Sequence, residues 1–364
     1  MSEALTATAK IVCLCGAIVL PGSLIKADSF PIASGLCHCN LCRKLTGGLC
    51  TTAVALKEAP REPLHRLKSY QATENIASYF CGTCGSKVIV HDQRLGWYAT
   101  AGNIDRIDDQ RNTVDTIKLK WSMQSDDTGD GGLLRRLAEL GHSSMQNLKC
   151  YRAGFSDDPV ALSDVQELWY AEPSGKVREE DSTHTSKHGV PLSCHCGGVS
   201  LRILPAEKRY PETPIASIDR WTRQNGTKYV AKVCCCRSDR LSFGTSIVPW
   251  TYVFPECILA SQGDSISLSF DTDYRTIPSL GTLRSYDSSP DVKRSFCGRC
   301  GAIVFYEHRN RPQVIDVAPG LLDAGSGALA EDILSWDWVR VSHSEECECK
   351  TWLDSITGRN TVQQ

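Results

Sequence analysis

Three cysteines within six positions are the most chemically distinctive feature of the sequence. They are Cys37, Cys39 and Cys42 in the segment "CHCNLC". Thiolates bind zinc, and three protein ligands leave the fourth tetrahedral position open for water or an external thiolate. An open position is typical of a catalytic zinc. The spacing therefore predicts a catalytic zinc site that can accept a thiol substrate.

Two cations follow this segment directly. Arg43 and Lys44 precede the glycine pair Gly47 and Gly48. Guanidinium and ammonium groups pair with carboxylates, so both residues are candidate contacts for an acidic substrate. The glycines allow close approach of the backbone. The alternative interpretation is an ordinary pair of solvated charges.

Paired cysteines elsewhere in the chain fit closed zinc sites. The phrases "CGTCGS" (81–86) and "CGRCGA" (297–302) are zinc knuckles, in which glycine lets two thiolates face one point. Each needs a partner pair, and a CxCG phrase precedes each. The expected four-cysteine sites are Cys13, Cys15, Cys81 and Cys84, and Cys194, Cys196, Cys297 and Cys300. Such sites stabilise the fold; the alternative is that some of these thiols are free and buried.

The positioning elements are predicted from an internal repeat and from short periodic stretches. Residues 67–90 align without gaps with 283–306, and the order CxCG, cysteine cluster, CxxC occurs twice. The repeat predicts two copies of one domain, 1–180 and 181–364, joined through the polar segment 172–189. Stretches such as "SKVIVHD" and "AIVFYEH" alternate with a period of two, which predicts a mainly β fold with cysteines in turns between strands.

The second copy of the cysteine cluster is altered. In "KVCCCRSD", Cys234 and Cys236 take the first two ligand positions, and Asp239 takes the third. A carboxylate can bind zinc, so an altered metal site is one interpretation. The alternatives are a metal-free site and a redox role for the cysteines. The added Cys235 is expected to face another way in an extended segment.

Composition excludes several classes of protein. The 364 residues include 40 basic and 42 acidic side chains, so no basic excess is present for nucleic-acid phosphates. The apolar run 11–25 lacks a basic start and is interrupted by Cys, Gly and Pro, which argues against a signal peptide or a membrane anchor. With 19 cysteines and no export signal, we expect metal ligands or reactive thiols in the cytoplasm or nucleus.

The remaining cysteines and two histidines receive simpler interpretations. "ECEC" (346–349) is expected to be a surface or redox-neutral pair, because no second pair is free nearby. His38 and His195 lie inside CHC phrases and are expected to point away from the metal. Three isolated cysteines are expected to be buried or half-buried thiols: Cys50, Cys150 and Cys257.

Together these motifs resemble the glutathione-dependent formaldehyde-activating enzyme and CENP-V family (GFA/CENP-V). The resemblance rests on the combination of CxCG, CxCxxCRKxTG and FCxxCGS, and it extends over both halves. It implies a compact β-rich unit of the Mss4-like, or β-tent, type. It also implies a structural zinc at the CxCG and CxxC pairs, and a catalytic zinc at Cys37, Cys39 and Cys42.

The resemblance further implies carbon–sulfur lyase chemistry on S-hydroxymethylglutathione, the adduct of glutathione and formaldehyde. Glutathione is then the expected co-substrate, and a small thiol adduct is the expected partner. The expected metals are two structural zinc ions and one catalytic zinc ion, with the altered site available for a fourth zinc ion. A tandem build leaves room for a larger substrate, as in a biosynthetic enzyme. The alternative function is a non-catalytic zinc-binding interaction or scaffold protein.

Overall fold

The computed structural model describes residues 8–61, 64–107, 113–155, 158–165, 189–208 and 220–359. Across these ranges the chain is mainly β, as predicted from the sequence. The domain boundary predicted at residue 180 and nearly all of the polar segment 172–189 lie outside the described residues. No helix in the described part of the chain is both long and apolar enough to cross a membrane.

The first half forms a small and a large sheet. Its strands are β1 (Ala9–Val12), β2 (Val19–Pro21), β3 (Ile32–Cys37), β4 (Thr51–Ala55), β5 (Leu67–Gln71), β6 (Ile76–Cys81), β7 (Lys87–Asp92), β8 (Gly96–Thr100), β9 (Ile104–Arg106), β10 (Ile117–Met123), β11 (Lys149–Tyr151) and β12 (Val160–Ala161). The small sheet has the order β2-β1-β9, and the large sheet has the order β12-β11-β10-β3-β4-β8-β7-β6-β5. Strand β10 runs parallel to β3, whereas β4 is antiparallel to it.

The second half has the same division into a small and a large sheet. Its strands are β13 (Val190–Ser193), β14 (Ser200–Ile203), β15 (Thr222–Arg223), β16 (Lys228–Cys234), β17 (Val248–Val253), β18 (Ile258–Ala260), β19 (Leu283–Ser289), β20 (Val292–Cys297), β21 (Ile303–His308), β22 (Ile315–Val317) and β23 (Leu334–Ser342). The small sheet has the order β13-β14-β18, and the large sheet β15-β16-β17-β22-β21-β20-β19. Strand β23 runs parallel to β16.

The helices of the described residues are short, and two of them follow cysteine-bearing strands. The α-helices with described bounds are α1 (Asn40–Thr46), α2 (Gly132–Leu140), α3 (Arg237–Phe243) and α4 (Lys350–Thr357). Helices α1 and α3 each end at a glycine with positive φ, 88° at Gly47 and 76° at Gly244. Glycine adopts this conformation without a steric penalty, so both helices stop after two turns.

The two halves are interlocked through their apolar cores. Leu45 and Phe80 of the first half are buried in the core of the second half. Conversely, the core of the first half includes Val233 of the second half and Trp352 of helix α4. The knuckle glycine Gly85 lies against the Phe296 ring, and the equivalent knuckle glycine of the second half lies against Phe80. Each half therefore completes the packing of the other.

Candidate metal centres and their cavities

Four cysteines meet at the junction of the two sheets of the first half. Cys13 and Cys15 lie in the turn between β1 and β2, and Cys81 and Cys84 lie at the turn between β6 and β7. Their four Sγ atoms all lie within 4.8 Å of one another. The Cys15 Sγ atom is 3.5 Å from that of Cys13 and 3.6 Å from that of Cys81. Tetrahedral zinc with ~2.3 Å bonds separates its sulfurs by about 3.8 Å, so the group fits zinc.

The second half brings together its own four cysteines in the same way. The Sγ atoms of Cys194, Cys196, Cys297 and Cys300 lie within 4.8 Å of one another. The Cys196 sulfur is 3.6 Å from that of Cys194 and 3.5 Å from that of Cys297. Backbone N–H groups donate to these sulfurs, as from Cys300 to Cys297 at 3.4 Å. Both predicted four-cysteine groups therefore have the geometry and the donor set for a closed zinc site.

Proton sharing within each closed group favours one thiolate. The pKa of Cys81 lies far below its usual range because the Cys13 thiol donates a hydrogen bond to it. The pKa of Cys297 is lowered in the same way by the Cys194 thiol. The thiolate is the form of cysteine that binds zinc. The same hydrogen bonds raise the pKa of the Cys13 and Cys194 thiols, so the arrangement of sulfurs by itself favours a single charged ligand in each group.

The three-cysteine group of the first half lies where β3 passes into α1. Cys37 ends β3, Cys39 is the N-cap of α1, and Cys42 lies in its first turn. The Sγ atoms of Cys37 and Cys39 are 3.4 Å apart, and the Cys42 N–H donates to the Cys39 sulfur at 3.3 Å. All three sulfurs lie within 4.8 Å of one another and are half-buried. A short helix, rather than a turn, positions these cysteines, because the Cys39 sulfur caps it.

The electrostatics of this group single out Cys39. Hydrogen bonds from the Cys37 and Cys42 thiols lower the pKa of Cys39 to about 3. Hydrogen bonds with the Cys37 and Cys39 sulfurs raise the pKa of Cys42. Within the described residues, no fourth cysteine, histidine or carboxylate joins the group. The donor set therefore fits a zinc ion with one coordination position left for a ligand from outside the chain.

Arg43 and Lys44 are not an ordinary solvated pair. Arg43 is buried, and its Nη2 donates to the Asn40 side chain at 2.5 Å. It lines a cavity of about 610 Å³ together with Asp127 and Asp323. Lys44 Nζ pairs with Asp323 of the second half at 2.7 Å. Arg43, which follows Cys42 in the sequence, is thus placed at a cavity whose walls include none of the three cysteines, whereas Lys44 joins the two halves.

The altered group of the second half also comes together, but its carboxylate is already engaged. The ligand atoms of Cys234, Cys236 and Asp239 lie within 4.8 Å of one another. Asp239 Oδ1 accepts from Arg294 Nη1 at 2.6 Å, and its Oδ2 accepts from Trp250 Nε1 at 3.0 Å. A carboxylate with a donor on each oxygen has little capacity left for zinc, and the Arg294 charge opposes a second cation nearby. The donor set fits zinc less well here than in the other groups.

Comparison with known proteins supports the resemblance for the first half. Residues 8–119 match the family model described as "Glutathione-dependent formaldehyde-activating enzyme". No curated protein and no solved structure matches the chain. The matched range contains the closed four-cysteine group of the first half and the three-cysteine group. The formaldehyde-activating family therefore points to a glutathione-related activity for the half in which the three-cysteine group has an open position.

The two histidines near these groups are hydrogen-bonded elsewhere. Within the formaldehyde-activating match, His38 is fully buried, and its Nε2 lies 3.0 Å from Ser122 Oγ on β10. Burial lowers the pKa of His38 to about 4. His195 Nδ1 lies 2.9 Å from the Tyr70 hydroxyl of the other half. Neither histidine belongs to a metal group among the described residues.

The prediction of a surface pair at "ECEC" is wrong. Cys347 and Cys349 are both buried, and the Cys347 thiol is hydrogen-bonded to Cys235. The intervening Glu348 pairs with the buried Arg240 at 2.8 Å, which compensates the charge that this segment carries into the interior. Cys235 faces away from the altered group, as expected, and the isolated cysteines 50, 150 and 257 are buried as predicted.

Several of the ion-pair partners come from residues that were not predicted from the sequence. Arg294 holds Asp239, Asp323 holds Lys44, and Arg240 joins Asp105 to Glu348. One signal for Arg294 was present in the sequence. In the ungapped alignment of the repeats it stands opposite a serine, at residue 78, so the altered third ligand is accompanied by a second change.

Proposed function

We propose that the chain is a zinc-dependent carbon–sulfur lyase-type enzyme. Its substrate is an adduct between glutathione, or a related thiol, and a small electrophile such as formaldehyde. The observation that carries this proposal is the group of Cys37, Cys39 and Cys42, which has three sulfurs and no fourth described ligand. A closed scaffold site would need no such open position.

The residues divide into those that hold the metal and those that face the substrate. Zinc at Cys37, Cys39 and Cys42 would hold an external thiolate and lower its pKa. In the synthetic direction, the thiolate sulfur forms a bond to the carbonyl carbon. The carbonyl π electrons pass to oxygen, which takes a proton from solvent, and the lyase direction reverses each change. Arg43 at the adjoining cavity would pair with a carboxylate of the thiol.

We further propose that residues 181–364 are an altered copy of the first domain. Two registers support this: β5 pairs Leu67 with Cys81, and β19 pairs Leu283 with Cys297. In each half the strand before the cysteine cluster has a parallel neighbour. The cysteine at the second ligand position, Cys39 or Cys236, caps the helix that follows. The two closed four-cysteine groups would then be structural zinc sites, one in each copy.

The cavity beside Arg43 supports a substrate larger than formaldehyde alone. Its walls come from both halves, with Asp127 in the first and Pro191 and Asp323 in the second. Its volume of about 610 Å³ is within the usual range for small-molecule sites, ~300–1,000 Å³. A thiol adduct at the open metal position could extend into this space. The second half would therefore shape the substrate site even without a catalytic metal of its own.

Zinc content and glutathione-dependent activity test the proposal together. The full chain should hold three zinc ions, and Cys39→Ala should hold two and lose the activity while keeping its melting temperature. Cys50→Ala is the matched control, because Cys50 is buried outside every metal group in the described residues. It should keep all three ions and the activity. A wild-type chain with only two ions and no response to thiols would favour the scaffold function instead.

A further inference from the structure

A second cavity, of about 440 Å³, opens directly over the altered group of the second half. Cys236, Arg294, Tyr306, Arg311 and Asp316 are among the residues that line it, and we refer to it as the second-half cavity. Nothing in the proposed lyase chemistry uses these side chains. They come from strands β20, β21 and β22, from the connection between β21 and β22, which carries Arg311, and from the cysteine segment after β16.

The residues around Asp239 in this cavity differ from those at the matching positions of the first half. The pairings of Cys37 with Thr51 and of Cys234 with Val248 place Ala53 and Trp250 at matching positions. The first half therefore has an alanine where Trp250 donates to Asp239, and it has a serine where Arg294 does so. The changed third ligand and both of its donors occur together. The result is a buried ion pair at the place where the first half offers a third thiolate.

The charged groups of the cavity keep unused hydrogen-bonding capacity. Arg294 gives only its Nη1 to Asp239, and its Nε is buried without a partner. Arg311 gives its Nη2 to Asp316 Oδ1 at 2.6 Å. Among the described residues, these are the only side-chain hydrogen bonds found for the two guanidinium groups, each of which carries five N–H donors. Asp316 likewise accepts at Oδ1 alone, so both donors and an acceptor remain for a ligand.

Aromatic rings hold the guanidinium groups in place and form the remaining walls. The Arg294 guanidinium lies 4.9 Å from the centre of the Tyr306 ring. Arg311 lies 5.4 Å from the Tyr252 ring and 5.8 Å from the Tyr306 ring. Ring faces also attract ammonium groups. Two arginines and three carboxylates line the cavity, the latter from Asp239, Asp316 and Glu346. Both signs of charge are therefore present, and a molecule with both charges can pair with Arg311 and Asp316 together.

We propose that the second-half cavity is a metal-free binding site for a small zwitterion that carries a carboxylate and an ammonium group. The identification of this ligand as a glutathione-type peptide thiol rests on the proposed function. The carboxylate pairs with the open N–H edges of Arg294 and Arg311. The ammonium group pairs with Asp316 and the ring of Tyr252 or Tyr306. The altered copy thus contributes a second ligand site to the chain.

Calorimetric titration of the zinc-loaded full chain with S-methylglutathione tests this inference, because this probe carries an ammonium group and two carboxylates but no free thiol for zinc. Wild type and Cys39→Ala should bind it equally. Arg311→Gln and Asp316→Asn should each weaken binding by about tenfold or more, since each removes a charge-assisted contact. Arg309→Gln is the matched control, because Arg309 is half-exposed and pairs with Asp271 away from this cavity. It should bind like wild type.

Several outcomes would overturn the inference. The first is absence of probe binding to the wild type. The second is an affinity in Arg311→Gln and Asp316→Asn equal to that of the wild type, at unchanged melting temperature. The third is a fourth zinc ion in the wild type that is lost in Cys236→Ser. These outcomes are separable from failure of the proposed function. If wild type binds the probe as expected yet has no glutathione-dependent activity, the lyase proposal fails and the cavity stands. If activity depends on Cys39 while the affinity for the probe is insensitive to Arg311 and Asp316, the cavity inference fails and the lyase proposal stands.

Discussion

Substitution of Gly85 by alanine should destabilise the chain through a contact between its two halves. Gly85 has φ of +79°, and a Cβ built there lies 2.5 Å from Cγ of Phe296. Phe296 is 1% exposed, so its ring has no free space into which it can move. The substitution therefore combines backbone strain with a clash against the core of the other half.

The expected magnitude follows from these two terms. The left-handed conformation costs an alanine ~1–2 kcal/mol, and overpacking of a core costs ~1–3 kcal/mol. The sum for Gly85→Ala is about 2–5 kcal/mol. Gly16→Ala is the matched control, because Gly16 follows a cysteine of the same metal group with φ of +76° and no atom within 4 Å of its Cβ. It should lose only the ~1–2 kcal/mol of backbone strain.

Urea unfolding of the two zinc-loaded variants measures the difference, with zinc content determined beforehand to show that both keep the metal. The extra loss in Gly85→Ala should be about 1–3 kcal/mol. Gly301→Ala, whose Cβ would lie 2.5 Å from Phe80, should behave like Gly85→Ala. Equal losses in Gly85→Ala and Gly16→Ala would refute the argument that knuckle packing joins the halves.

Three further predictions follow from buried charges and from the metal groups. Arg240→Met should cost about 3–5 kcal/mol in urea unfolding, because a buried cation between Asp105 and Glu348 is lost; Arg237→Met, which removes an exposed pair with the same Asp105, should cost no more than about 1 kcal/mol. Burial raises the pKa of Asp316 to about 6, above the unfolded value of 3.8, so the folded state holds this proton more tightly and loses stability as pH rises through this interval. The stability of Asp316→Asn relative to wild type should therefore increase by up to about 3 kcal/mol between pH 4 and pH 6.5, and an unchanged difference would contradict the burial argument. Cys84→Ala should lose one zinc ion and lower the melting temperature sharply, and a full zinc complement would count against the closed site.

The cysteine groups were predictable because their ligands carry local signals. The spacing and the glycine of the CxCG and CxxCG motifs indicate the turns that they form. The repeat shows which cysteine pairs belong to the same group. All the residues predicted for the two closed groups and for the three-cysteine group meet in the structure. The alternation of β-branched and polar residues likewise sufficed for a mainly β fold.

The contacts between the halves were not predictable from such patterns. Asp323 pairs with Lys44 from a loop that carries no motif, and Arg294 reaches Asp239 from a strand far along the chain. Exposure at "ECEC" was misjudged for a related reason. No second cysteine pair is free nearby in sequence, whereas Cys235, which contacts Cys347, and Arg240, which pairs with Glu348, are more than a hundred residues away. Charge balance of this kind depends on the tertiary fold.

The position of helix α4 has a consequence for how the chain matures on the ribosome. Trp352, Leu353 and Ile356 are buried in the core of the first half. Domains generally fold in the order of their synthesis, the N-terminal one first. Here the first half can bring its cysteine groups together early, but its core stays open until α4 has been translated. The core of the first half is therefore completed only after the whole second half has been synthesised.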